Sequence, residues 1–379
     1  MIYLDYNATT PLDPKVFEAM TPYLREQYGN ASSRHGLGTA ARAAVNRARE
    51  QVAAAVNAQP AQVVFTSGGT EANNLFIKGA AGYLKPSQIV ISPVEHPSVA
   101  RPAHELARAG WKPRVLKVDD AGKIDEADVT RAMQEPTGLM SAMLVNNETG
   151  GVQDVAAIAE QARAQRAWIH TDAVQAFGKM AVDFGDLNVH AMTISSHKIY
   201  GPKGAAALVL DKRIELQAII VGGGHERGLR SGTENVPAIV GFGAACELAV
   251  DRLTPLGVRL VALRERLERR LRGLEAMIFG AGAERIPNTS YFAFPGIDGE
   301  TLVVELDRAG FAVASGSACS STSTEPSPTL LAMGVDPALA RCAVRVSLGR
   351  GNNANQVDHF LKALEAIVRQ MKRMSSLAV

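Results

Sequence analysis

Two rhythms of apolar positions organise this chain. Residues 38–57 (GTAARAAVNRAREQVAAAVN) carry apolar side chains at helical spacing with few breakers, which predicts a helix. QVVFT at 62–66 then reads as a short strand, SGGT as a turn, and EANNLFIKGAAGYL as a second helix. Further short β-rich runs follow at 88–92 (QIVIS), 114–118 (RVLKV), 140–146 (MSAMLVN), 167–171 (AWIHT), 190–195 (HAMTIS) and 205–210 (AAALVL). Amphipathic helical stretches such as 155–165 separate several of them. Strands alternating with helices predict an α/β unit over 15–255, built on a largely parallel sheet covered on both faces. Beyond residue 256 the pattern changes to a long helix and then an α+β arrangement, with β-like pieces at 288–294, 311–317 and 343–348. Residues 1–14 are expected to pack with this smaller unit, 256–379.

Composition changes this picture little but excludes several partners. Forty basic and 38 acidic side chains leave a net charge of +2, which offers no field for nucleic acid or an anionic membrane. The arginines at 261–272 are interleaved with Glu265 and Glu268, the mark of a solvated helix face. No apolar run approaches the roughly 18 residues that span a bilayer, and MIYLDYNATTPLD lacks the layout of a signal peptide. Three cysteines cannot all pair with one another, and none sits in a C-x-x-C metal spacing. A cytoplasmic protein without a bound metal is the expectation.

Four motifs fall where β-strands end. SSHKIYGPKG (195–204) places Lys198 in a Gly/Pro-containing loop after a buried strand, where lowered basicity lets an amine hold an aldehyde as a Schiff base. Asp172 and Gln175 follow the strand AWIHT, at the rim where ligands collect in parallel sheets. Asp172 has two readings there: a carboxylate for a protonated pyridine nitrogen, or the N-cap of a helix starting at Ala173. TSGGTEANN (66–74) joins a strand to a helix N-terminus through Gly68 and Gly69, an anion site with a hydroxyl from Thr70. It lacks a P-loop lysine and a dinucleotide fingerprint, so a single terminal phosphate fits best. His96 in VEHPS reaches the same rim, where an imidazole can lie on an aromatic ring and exchange protons.

One cysteine stands apart. Cys319 lies in ASGSACSSTSTEPSP, small, polar and turn-forming, so it is expected to be exposed and able to travel. Cys246 and Cys342 lie in apolar surroundings and read as core. With a pKa near 8.5, an unperturbed thiol is only about a few per cent ionised at neutral pH, so Cys319 needs a base before it acts as a nucleophile.

Ordered along the chain, YLDYNATTP (3–11), YGNASSRH (28–35), TSGGTEANN, the EH of VEHPS, NNETG (146–150), HTDAVQ (170–175), SSHKIYGPKG, RSGTEN (230–235), SGSACSS (315–321) and VRVSLGR (344–350) resemble the cysteine desulfurases of the NifS/IscS type. That resemblance implies the fold-type I architecture of pyridoxal-phosphate enzymes: a large domain with a mostly parallel seven-stranded sheet and a smaller α+β domain. It implies that Lys198 carries pyridoxal 5'-phosphate, Asp172 binds its ring nitrogen, His96 stacks on the ring and Gln175 meets the phenolic oxygen. Gly69, Thr70, Ser195 and His197 would hold the phosphate, with Thr233 reaching it from the partner subunit of a homodimer. Asn147 would contact the cofactor as well as the substrate, and with Arg345 it would orient the substrate, Arg345 as a bidentate clamp on its carboxylate. The implied reaction takes sulfur from L-cysteine as a persulfide on Cys319, releases alanine, and hands the sulfur to an acceptor protein. An iron–sulfur scaffold and a thiolation partner both stand as acceptors, since the chain ends at KRMSSLAV soon after its last helix, where scaffold-serving members often extend further. A selenocysteine lyase or an aminotransferase on the same scaffold is the rival reading; the second leaves Cys319 without a task.

Overall fold

The computed structural model describes residues 1–315 and 325–377. The first part of the chain runs β1 (Ile2–Tyr3), α1 (Pro14–Arg25), α2 (Gly36–Ala55), β2 (Val63–Thr66), α3 (Gly69–Tyr83), β3 (Gln88–Ile91), α4 (Pro97–Glu105) and β4 (Lys112–Val115). It continues through α5 (Glu126–Ala132), β5 (Thr137–Ser141), α6 (Val155–Ala164), β6 (Trp168–Asp172), β7 (Ala191–Ser195) and β8 (Ala206–Leu210) to α7 (Val236–Gly273). The remainder is β9 (Met277–Ile278), β10 (Thr289–Ala293), α8 (Gly299–Arg308), β11 (Phe311–Ala312), β12 (Ala314–Ser315), α9 (Pro328–Ala332), α10 (Pro337–Arg341), β13 (Ala343–Ser347) and α11 (Ala354–Leu377).

Seven strands form one sheet in the order β2-β8-β7-β6-β5-β3-β4. All run parallel except β8, which lies antiparallel to both of its neighbours. Every residue of β7 and β8 is buried, as expected for strands covered on both faces. The two faces separate by the two-residue period of a strand. Val63, Phe65 and Val90 face a core shared with α2, α6 and the first half of α7. Val64, Ile89 and Ile91 face a second core with α3 and α4.

Two strand positions differ from the sequence reading. The edge strand runs Lys112–Val115 rather than 114–118, because its only partner, β3, is four residues long. The run expected at 140–146 forms a strand only over Thr137–Ser141. Beyond it the chain stays bonded to β6 on one side, through Ala142 N–H to His170 O and Leu144 N–H to Asp172 O, as it turns toward the NNETG segment.

The C-terminal strands make a second, four-stranded sheet in the order β12-β13-β10-β9. β1 pairs in parallel with β11, and Asp5 bridges Ser347, so the N-terminal segment docks on strands from the far end of the chain. Helix α7 runs unbroken through 255–256, where the sequence pattern changes. Its Val236–Cys246 stretch packs in the core of the large sheet, and Leu260–Leu271 packs in a separate core with Phe292 and Phe360. Among the described residues, no helix is long and apolar enough to cross a membrane.

Candidate active site

β2, β3, β6 and β7 all point the same way, so the four motifs leave the sheet along one carboxyl edge. There they wall a cavity of about 290 Å³, in the position where open α/β sheets bind ligands. Gly69, Thr70, His96, Asn147, Asp172, Gln175, Ser195, His197, Lys198 and Arg345 all line it. Thr233 does not; it is exposed on the segment leading into α7. Cys319 lies outside the described residues. On either side of it, Ala314 pairs with Arg345 across β12 and β13, and Ser327 Oγ donates to Glu148 Oε2. Cys246 and Cys342 are buried, as expected of core residues.

One end of the cavity is built for an anion. Helix α3 begins at Gly69 and presents its unpaired first-turn amides there. Ser195 Oγ, at the end of β7, is buried without a hydrogen-bond partner, which is costly unless a ligand supplies one. Burial, then the lysines at 198, 203 and 179, push the His197 pKa down to about 4, so this ring is neutral at pH 7. Glu71, in the same helical turn, accepts from Ser67 N at 2.9 Å and from Arg230 Nε at 2.8 Å. Burial raises its pKa, but the Arg230 and Ser67 hydrogen bonds outweigh that and hold it below the usual range.

At the opposite end, of the two readings of Asp172, the helix N-cap is corrected, because β6 runs into a turn and no helix starts at Ala173. Asp172 Oδ1 accepts from Val174 N at 3.0 Å, capping a turn and not a helix, while Oδ2 accepts from Asn73 Nδ2 at 2.8 Å. Nearby, Glu95 takes the Met143 amide at 2.7 Å on Oε1, whereas Oε2 is sealed off without a partner. Burial, and then the Asp172 carboxylate, raise the Glu95 pKa to about 8. His96 serves as the N-cap of α4, with Nδ1 accepting from Ser98 N at 3.1 Å. Burial lowers its pKa; Asp172 opposes that shift, and Lys198 and Arg101 add to it.

Lys198 Nζ donates to the backbone carbonyls of Asn7 at 2.5 Å and Ala8 at 2.7 Å. The Asn7 carbonyl also accepts from Gln175 Nε2 at 2.9 Å. A second lysine, Lys179, donates to Asn7 Oδ1 at 3.0 Å and to Gln175 Oε1, which turns the Gln175 amide so that its N–H groups point away from it. Burial, then Lys198 and Arg345, push the Lys179 pKa well below its usual value. Arg345 is 4% exposed. It donates to Asn147 O at 2.9 Å and to Asp5 Oδ1 at 2.7 Å, and its Nε is buried without a partner. Part of the guanidinium fork therefore remains for a carboxylate.

Sequence reading missed Asn7, Asn73, Ser98 and Lys179, and assigned Glu95 no task. Asn73 carried a signal: it falls on the buried face of α3 with Phe76, Ile77 and Ala80, where a polar residue needs a reason. The Pro97 after His96 also marked a helix start. For Asn7 and Lys179 no local pattern points to the site.

Pyridoxal phosphate needs an amine for its aldehyde, a carboxylate for its ring nitrogen and a cradle for its phosphate. Lys198, Asp172 and the first turn of α3 meet those needs in one cavity, and the unpartnered Ser195 hydroxyl beside that turn fits a phosphate oxygen. The aminotransferase class-V profile matches residues 2–360. A cysteine desulfurase IscS from an Anaeromyxobacter species is 44% identical over 383 residues, covering 99% of this chain and 94% of that protein. A solved NifS-like protein superposes with a TM-score of 0.92 at 36% identity, covering 97% of this chain and 99% of that one. The structure of SspA in complex with cysteine matches with a TM-score of 0.81 at 32% identity, over 92% and 99% of the two chains.

Proposed function

From the premise that this chain belongs to the aminotransferase class-V family, among its cysteine desulfurases of the IscS/NifS type, we infer that it removes sulfur from L-cysteine and leaves alanine. The observation that carries this reading is the convergence of a lysine, a carboxylate, an imidazole and an anion-binding helix start on one cavity. Bound pyridoxal phosphate supplies an electron sink that labilises bonds at the amino-acid α-carbon.

The chain's own residues do the rest. Lys198 would hold the cofactor, and its amine would move the α-proton. The α3 amides, Thr70, Ser195 and His197 would hold the phosphate, and Asp172 would face the ring nitrogen. Gln175, turned by Lys179 and already donating one N–H to Asn7 O, would offer its other N–H to the phenolic oxygen. Arg345 takes the substrate carboxylate on the part of its fork that Asp5 and Asn147 leave open. Cys319, as thiolate, attacks the substrate sulfur; the carbon–sulfur bond breaks with its electron pair passing to the carbon, which is protonated and leaves in alanine, and the sulfur stays on Cys319 as a persulfide for an acceptor protein. An iron–sulfur scaffold suits that role.

The two-unit division at 255–256 is supported by the separate cores at the two ends of α7. A homodimer is supported by the segment that carries Thr233, where Val221 is 80% exposed beside the exposed Ile219 and Ile220. Free, buried Cys246 and Cys342 accord with a reducing cytoplasm. The test is to supply the purified protein with L-cysteine and weigh the Cys319 peptide. One added sulfur with stoichiometric alanine is expected, and both are lost, with the visible cofactor absorbance, in Lys198→Ala. Alanine release by Cys319→Ala at the wild-type rate would overturn the persulfide step.

A further inference from the structure

Between Asp172 and His96 lies a chain of buried hydrogen bonds that no step above uses. Asn73 Nδ2 donates to Asp172 Oδ2 and to Ser98 Oγ, each at 2.8 Å. Ser98 Oγ lies 2.7 Å from His96 Nδ1, and Ser98 N donates to the same nitrogen at 3.1 Å. Asn73 is 1% exposed and Ser98 7%.

The carboxylate sets the direction of the side-chain hydrogens in this chain, and the Ser98 amide is fixed as a donor in any case. An ionised Asp172 only accepts, so the Asn73 amide must turn its nitrogen toward it. Turning it leaves Asn73 Oδ1 buried without a partner, a cost accepted in exchange for the two bonds that Nδ2 makes. The second N–H of Asn73 occupies a lone pair of Ser98 Oγ, and the remaining Ser98 hydrogen points at His96 Nδ1. Two donors then converge on Nδ1, one of them a backbone amide that cannot reverse. Nδ1 therefore carries no proton, and the proton of the neutral ring sits on Nε2.

We propose that Asn73 and Ser98 are positioning residues that lock His96 as the neutral Nε2–H tautomer and tie that tautomer to the charge of Asp172. His96 then offers its cavity face as a hydrogen-bond donor and not as a base, which leaves Lys198 as the group that takes the α-proton. The proposal rests on the cofactor-site reading above. The charged groups facing His96 are Asp172 from β6, Lys198 from the turn after β7 and Arg101 from α4, with Glu95 preceding it. Burial lowers the His96 pKa in the same sense as the two donors on Nδ1.

The experiment is nitrogen NMR of the holoenzyme labelled with ¹⁵N-histidine, the His96 signals being assigned by their loss in His96→Gln. The wild type is expected to show an unprotonated Nδ1 and a protonated Nε2, before and after the cofactor is stripped. In Ser98→Ala the titration midpoint of His96 should rise by about one pH unit, with the acidic limb of the kcat profile moving equally, and Ser98→Thr should restore both. A protonated Nδ1 in the wild type overturns the proposal without any variant, and so does an unmoved midpoint in Ser98→Ala. A holoenzyme lacking visible cofactor absorbance would instead sink the cofactor reading, which the tautomer of the stripped protein does not touch.

Discussion

Replacing Glu95 by glutamine tests whether a neutral carboxyl lies beside Asp172. In the folded chain, burial and then Asp172 raise this group from 4.5 to about 8, against the Met143 amide and Ser141 hydroxyl that favour its charge. Unfolded, it titrates at its ordinary value. Folding therefore binds a proton between those two values. The associated stability is fully present below pH 4.5 and is lost as pH rises toward 8. At about 1.4 kcal/mol per unit, the loss across that window is of order 3–5 kcal/mol. The amide of Glu95→Gln has no proton to lose, so the variant should gain on the wild type steadily between about pH 5 and 8, whatever the constant offset from its new N–H groups. Thermal midpoints of the two proteins across that range provide the assay, with a divergence of several degrees expected. Parallel curves would refute the claim that the carboxyl is held protonated.

Arg345→Lys keeps a charge but loses the planar fork, so KM for L-cysteine should rise about 10- to 100-fold with a smaller change in kcat; equal losses in both would point to a role in the chemical step. Glu226 is clasped by Arg49 through two bonds of 2.6 and 2.7 Å and accepts from Phe65 N at 2.8 Å. Glu226→Ala leaves a largely buried guanidinium without its carboxylate and should destabilise the protein by about 3–5 kcal/mol in chemical denaturation. Gly69→Ala puts a methyl 3.2 Å from Val174 Cγ2, a side-chain terminus that can give way, while alanine favours the helix by about 0.5–1 kcal/mol. Cofactor should be retained and stability should change by less than about 1 kcal/mol, which cofactor titration and melting will check.

The large sheet was legible because each strand is short and apolar, and amphipathic helices separate several of them. What decided the ends of β4 and β5 was pairing: β3 offers β4 only four partners, and the chain after Ser141 leaves β3 while keeping β6. Site residues at strand ends were legible for a related reason, since a parallel sheet gathers whatever follows its strands at one edge. Their supports were not. Asn7 touches Gln175, Lys198 and Ser347 across 168, 191 and 340 residues of chain, and no spacing rule reaches that far. His96 shows the opposite failure: its functional reading came first, and its capping of α4 was overlooked although Pro97 announced it.

Asp5 and Asn7 complete this pocket only with partners that lie 340 positions further along the chain. Asp5 needs Arg345, and Asn7 needs Ser347, before either can settle. A growing polypeptide on the ribosome consequently has its sheet edge and Lys198 in hand while the mouth above them is still missing a wall. The wall built by the N-terminal strap is thus the last part of the pocket that can form. It arrives in one late closure, when first Asn288 and Thr289 and then residues 345–347 are in place to receive the N-terminal strap.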